Sequence, residues 1–239
     1  MKILAIDTSS NLCSVALLEN TKLIKKIELN NGLTHSETLM PLIKQILEET
    51  NLKLKDIDLL VSDVGPGSFT GIRIGVATCK AFSDSLNIPT IGISALEVLA
   101  YSIKNDGLIC STIDCKNDNC YFALYELNNG VYNIIENPCA KSNQEVIELL
   151  NTKYNKEKIT FVGNGITSSK IFTLNNKIKN SLLNFDMTND QLFLNVENLG
   201  IAGYNKFINN SCKCESILPL YLKKPQAEVQ LELKQKNNK

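Results

Sequence analysis

The sequence starts the same pattern twice. Residues 3–7 are an apolar run ending in Asp7, followed by the polar turn Thr8-Ser9-Ser10-Asn11 and two further short strands. Residues 108–114 are an apolar run ending in Asp114, followed by the polar turn Cys115-Lys116-Asn117-Asp118-Asn119 and again two strands. Short apolar or alternating runs separated by polar turns predict a β-meander each time. The first pass continues with strands at 13–18 and 23–29 and a helix at 36–50, where Leu39, Ile43, Ile46 and Leu47 recur at spacings of three and four. A strand at 57–62, a helix at 70–86, a strand at 90–93 and a helix at 95–103 complete an order of βββαβαβα. The second pass has strands at 120–126 and 131–135, a helix at 143–151, a strand at 159–162 and a helix near 167–178, with Asn128-Asn129-Gly130 supplying a hairpin turn. The reading gives an N-terminal unit at 1–105, a second unit at 106–215, and a C-terminal segment at 216–239 whose tail frays. No long linker separates the units, so they are expected to pack face to face.

Composition narrows the function. Lys+Arg and Asp+Glu both number 25, and the resulting zero net charge argues against autonomous binding to nucleic acid. It leaves open contact with RNA through a partner. No apolar run approaches the roughly 18 residues of a membrane span. The apolar start of the chain ends at Asp7, short of the roughly 7–15 residues of a signal core, so it reads as a strand and the chain is expected in the cytoplasm. The eight cysteines include no Cys-x-x-Cys pair, so they are expected to be reduced and a zinc ribbon is not. Cys212-Lys213-Cys214 lacks nearby ligands and reads as surface thiols.

The segment from Ser62 to Gly75, SDVGPGSFTGIRIG, marks a glycine-rich turn from strand to helix. Such a turn aims backbone N–H groups at one point, a natural anion site, and it also serves as a tight packing turn. Ser68 or Thr70 is placed to cap the helix. Arg73 is the only arginine, so its retention points to a planar, bidentate bond to a carboxylate or phosphate of this chain or a partner. His35 is the only histidine, which excludes a His-x-x-x-His zinc peptidase; it reads as a polar residue at a helix entrance or subunit contact, with Ser36 as the expected cap. The loops after Asp7 and Asp114 contain no glycine to wrap a triphosphate, and the two aspartates either mark a degenerate nucleotide site or cap their turns. The helices at 36–50 and 71–86 carry more apolar surface than one core face needs. A subunit interface and burial on two sides within the monomer both account for that.

A strand ending in aspartate, a tight turn and two antiparallel strands is similar to the opening of a ribonuclease-H-like unit. Two in tandem resemble the actin-like (ASKHA) α/β fold. At the level of motifs, residues 3–9 (ILAIDTS), His35-Ser36-Glu37, residues 65–75 (GPGSFTGIRIG) and residues 221–228 (YLKKPQAE) resemble the bacterial TsaB (YeaZ) family. Two departures are Asp114-Cys115-Lys116, where the family often has Asp-Ala-Arg, and Lys223, where arginine is usual.

The resemblance implies a cytoplasmic, non-catalytic scaffold needed to form N6-threonylcarbamoyladenosine next to the tRNA anticodon. It implies docking on a TsaD-like transferase, recruitment of a TsaE-like ATPase, a homodimer when alone, and tRNA met only indirectly. The candidate partner face comprises His35, Ser36, Leu39, Met40 and Ile43 on the first helix and Ile72, Arg73, Val76 and Lys80 on the second. The candidate degenerate nucleotide site comprises Asp7, Ser9, Gly67, Ser68 and Asp114. No catalytic residue, metal or intrinsic cofactor is expected, although a nucleotide at a partner interface is compatible with the pattern. The alternatives are an ATP-dependent actin-like transferase or kinase using Asp7 and Asp114, and a peptidase, for which His35 is the only histidine base.

Overall fold

The computed structural model describes residues 1–30, 32–165, 192–209 and 217–223. Strands β1 (Lys2–Asp7), β2 (Cys13–Glu19) and β3 (Lys22–Leu29) form the first meander. Helix α1 (His35–Glu49), strand β4 (Leu59–Asp63), helix α2 (Phe69–Leu86), strand β5 (Thr90–Ile93) and helix α3 (Ala95–Ala100) follow. The sheet order is β3-β2-β1-β4-β5, with β1 antiparallel to β2 and parallel to β4. Alternation decides the layers. Leu4, Ile6, Val15, Leu17 and Leu60 meet Leu39, Ile43, Ile72 and Val76 of α1 and α2. Ile3, Ala5, Ala16, Leu18, Leu59 and Val61 belong to a second cluster on the opposite face. Both faces are covered, which is why β1 and β2 read as nearly continuous apolar runs.

The second sheet is ordered β8-β7-β6-β9, from β6 (Gly107–Asp114), β7 (Asn119–Asn128), β8 (Val131–Ser142) and β9 (Ile159–Val162). Helix α4 (Asn143–Lys153) packs Val146, Ile147 and Leu150 against Cys110, Phe122 and Phe161. Strand β8 runs seven residues beyond the expected end at 135. The apolar signal stops there because β8 is an edge strand, where polar residues and Pro138 are tolerated.

Helix α5 (Val196–Asn209) corrects the expected organisation. Its residues fall within 106–215, yet Val196, Leu199 and Ala202 pack on the first sheet. Its glycines make the close approach possible: a Cβ at Gly203 would stand 2.4 Å from a Val61 methyl. The expected helix near 167–178, Cys212, Cys214 and the frayed tail lie outside the described residues, whose six cysteines are all free.

Two elements join the units. In α3, Val98 faces the first sheet, whereas Leu96, Leu99 and Ala100 belong to the second sheet's cluster. Residues 217–223 cross from one unit to the other, with Ile217 in the first core and Leu222 against the second. Among the described residues, no helix is long and apolar enough to cross a membrane.

Candidate functional site

The parallel pairing of β1 with β4 brings two aspartates together. Ile6 pairs with Ser62, so Asp7 and Asp63 leave adjacent strands at the same level. Ser9, in the turn after β1, joins them. Its backbone N–H donates to Asp7 Oδ1 at 2.8 Å, and its Oγ lies 2.7 Å from Asp7 Oδ1 and 2.7 Å from Asp63 Oδ2. Gly65 N–H donates to Asp63 Oδ1 at 2.6 Å. Burial raises the Asp7 carboxyl above its ordinary range against the bonds from Ser9. Burial first, and then the Asp7 charge, push Asp63 well above that range. Asp63 was not among the candidate residues. The available signal was that β1 and β4 both end in aspartate before a turn, but only their pairing makes it meaningful.

The glycine-rich turn packs against this loop instead of leaving a cradle. Ser68 N–H donates to the Ser9 carbonyl at 2.7 Å, and Ser68 Oγ caps α2 by accepting from Gly71 N–H at 3.2 Å. A Cβ at Gly71 would stand 1.9 Å from the Thr8 carbonyl oxygen. The Thr8 hydroxyl donates to the Gly71 carbonyl at 2.7 Å. Of the two readings of the turn, the geometry is that of close packing. Asp7, Ser9, Gly67 and Ser68 do come together, but around protein atoms. Asp114 sits at the end of β6 in the other sheet, where Lys116 Nζ lies 2.8 Å from Oδ2 and its N–H donates to Oδ1 at 3.1 Å.

An open groove of 420 Å³ remains between the first turns of α1 and α2, lined by Asn11, Asn30, Thr34, His35, Ser68 and Thr70 among others. Of the five candidate nucleotide residues, only Ser68 lines it. His35 Nε2 is 2.7 Å from the Ser10 carbonyl, tying α1 to the β1–β2 turn. The α1 cap is Thr34, not Ser36: the Thr34 N–H donates to Glu37 Oε2 at 3.0 Å. Among the described residues, no group of three or more His, Cys, Asp or Glu side chains is placed to hold a metal.

The candidate partner face needs correction. Leu39, Ile43, Ile72 and Val76 are at most 4% exposed and belong to the protein's own core. Most of both apolar stripes is used within the chain, because α1 and α2 pack on the sheet and on each other. Ser36, Met40 and Arg73 are exposed, and His35 and Lys80 are half-buried. Arg73 also differs from its expected role. Its Nε–H donates to the Tyr221 hydroxyl at 2.6 Å, beside a Phe69–Tyr221 stack with centroids 4.5 Å apart. The guanidinium lies 5.5 Å from each ring centroid. A planar cation is still required, but an aromatic pair takes it, and this fastens residues 217–223 to α2.

Two sheets that each open with a βββα order, and each end their first strand in aspartate, define an actin-like (ASKHA) α/β protein. Solved structures share that fold. A Pseudomonas aeruginosa protein described as similar to peptidase YeaZ superposes with a TM-score of 0.74 at 24% identity, covering 93% of this chain and 99% of that one. The ROK hexokinase of Thermus thermophilus gives a TM-score of 0.50 at 8% identity, covering 88% of this chain and 100% of that one. The chain belongs to the family described as TsaD, tRNA N6-adenosine threonylcarbamoyltransferase, whose model matches residues 31–231. Within it, the match is to the TsaB (YeaZ) proteins that the motifs implied. It is 37% identical over 132 residues to the Bacillus subtilis (strain 168) tRNA threonylcarbamoyladenosine biosynthesis protein TsaB, covering 55% of this chain and 58% of that protein. The chain thus spans little more than half the length of the curated relatives it matches.

Proposed function

We propose that this chain is a non-catalytic scaffold in the formation of N6-threonylcarbamoyladenosine on tRNA. It docks on a TsaD-like transferase through the exposed sides of α1 and α2, around Met40 and Arg73, and recruits a TsaE-like ATPase. Alone it dimerises through the same face. It meets tRNA only through its partners and holds no nucleotide of its own, although one can lie at the partner interface. The observation that carries this reading is the closed Asp7 loop. Ser68 spends its N–H on the Ser9 carbonyl, and Ser9 spends its N–H and hydroxyl on the aspartate carboxyls, so the donors that a phosphate would need are taken, and Asp7 is 3% exposed.

The test is tRNA modification with purified TsaD-like and TsaE-like proteins and threonylcarbamoyl-adenylate, with and without this chain. The chain alone is expected to do nothing, and its addition to restore transfer. Met40→Asp, on the surface, is expected to lower that restoration about ten-fold without moving the unfolding midpoint. Leu39→Asp is unsuitable, because Leu39 is in the core. ATP turnover by the pure chain, lost in Asp7→Ala, would replace this reading with the ATP-dependent alternative.

A further inference from the structure

Ser9 has one hydroxyl proton and two carboxyl neighbours. Its Oγ is 2.7 Å from Asp7 Oδ1 and 2.7 Å from Asp63 Oδ2. Oxygen atoms at that separation share a hydrogen. Two such contacts need two protons, and the serine supplies one. Asp7, Ser9 and Asp63 are 3%, 5% and 2% exposed, so the three groups are cut off from bulk solvent. Two carboxylates this close in an apolar interior do not both ionise. The second proton therefore sits on a carboxyl group. Asp7 Oδ1 accepts both the N–H and the O–H of Ser9, which favours its charged form. Asp63 takes only the Gly65 N–H, on Oδ1, and turns its other side to the serine oxygen and the Asp7 carboxyl, so Asp63 is the protonated member, facing Ser9 and Asp7, while Ser9 donates to Asp7.

We propose that Asp63, Ser9 and Asp7 form a latch held by one proton that Asp63 carries through neutral pH, and that losing it releases the glycine-rich turn. The proposal is independent of the scaffold reading. Much hangs from this turn. The Val64 carbonyl accepts Leu220 N–H at 2.7 Å, and the Gly65 carbonyl accepts Ala95 N–H at 2.8 Å. The latch therefore reaches residues 217–223, α3 and, through Ser9 and Ser68, α2. The titratable groups facing it are His35 from α1 and the Cys13 thiol from β2, which burial and Asp7 push up to about 11. α2 presents Ser68 and its glycine side to the loop. The raised carboxyls of Asp63 and Asp7 agree with a retained proton.

The sign of the pH effect follows. The folded chain keeps a proton that the unfolded chain releases above about pH 4. The contribution is whole below that pH and falls as pH rises toward the elevated value for Asp63, by about ten-fold in the folding equilibrium constant per pH unit.

Carbon-13 NMR of protein labelled at aspartate carboxyls, titrated from pH 5 to 9, tests this. One resonance is expected at the protonated position at pH 7, and it is expected to be missing in Asp63→Asn. That variant keeps the hydrogen bonds, its amide donating to Ser9 and its oxygen accepting from Gly65. Its unfolding midpoint in urea is expected to gain on the wild type as pH rises from 5.5 to 8. Every aspartate carboxyl ionised at pH 7 in the wild type would overturn the latch. If Asp63→Asn does not fold, the wild-type spectrum still decides, with the resonance assigned through the nearby Gly65 amide.

Discussion

A single methyl group measures how tightly the β1–β2 turn is seated. At position 71 it would fall 1.9 Å from the Thr8 carbonyl oxygen, a backbone atom that cannot swing aside. Gly71→Ala is therefore expected to cost about 2–3 kcal/mol, read as a lower urea midpoint; a change below about 0.5 kcal/mol would mean that the contact is loose. Arg73 supports a second test at this scale. Arg73→Lys keeps the charge but loses the Nε–H that meets Tyr221, and Tyr221→Phe loses the acceptor. Each is expected to cost about 1 kcal/mol, and the double variant little more than either alone. Strict additivity would mean that the pair does not act as one clamp. The sequence made Arg73 conspicuous by rarity, but it pointed to a carboxylate or phosphate. The aromatic partner lies 148 residues away, and no local pattern announces it.

At the scale of elements, legibility tracks periodicity. The strands through β7 and helices α1, α2 and α4 follow alternation or three-and-four spacing, and their expected spans agree to within a few residues. The aspartate at the end of β1 was legible for the same reason. Asp63 was not, because its meaning depends on β4 lying parallel to β1 across a connection that contains α1. Helix α5 was hidden too, since Gly200 and Gly203 weaken a helical signal in isolation. Those glycines are explained by the sheet beneath them, where Val61 and Leu18 leave no room for a Cβ. Helix α5 therefore depends on tertiary packing for its stability. Leu199→Ala, at a site 1% exposed, is expected to cost about 2–5 kcal/mol in urea unfolding. A cost under about 1 kcal/mol would show that α5 rests loosely on the first sheet.

For the whole molecule, the question is whether the two units open together. The repeated meander suggests two independent domains, but their connections argue otherwise. α3 has six residues, too few to be a stable helix alone. Its Val98 belongs to the first sheet's cluster and its Leu96 and Leu99 to the second's, so α3 persists only while both sheets are folded. The stack of Tyr101 on Tyr132, with centroids 4.0 Å apart, adds a second link, and residues 217–223 a third. Units joined in this way share one opening transition. In amide hydrogen exchange, the slowest amides of β1 and β6 are expected to report the same opening free energy. Leu99→Ala removes buried contact with the second sheet only, yet it is expected to lower both values together, by about 2–5 kcal/mol. If protection falls in β6 and stays whole in β1, the units open separately. In that case α3 is a linker resting on the second sheet, and the residues that reach across from the first unit do not make the two sheets one cooperative body.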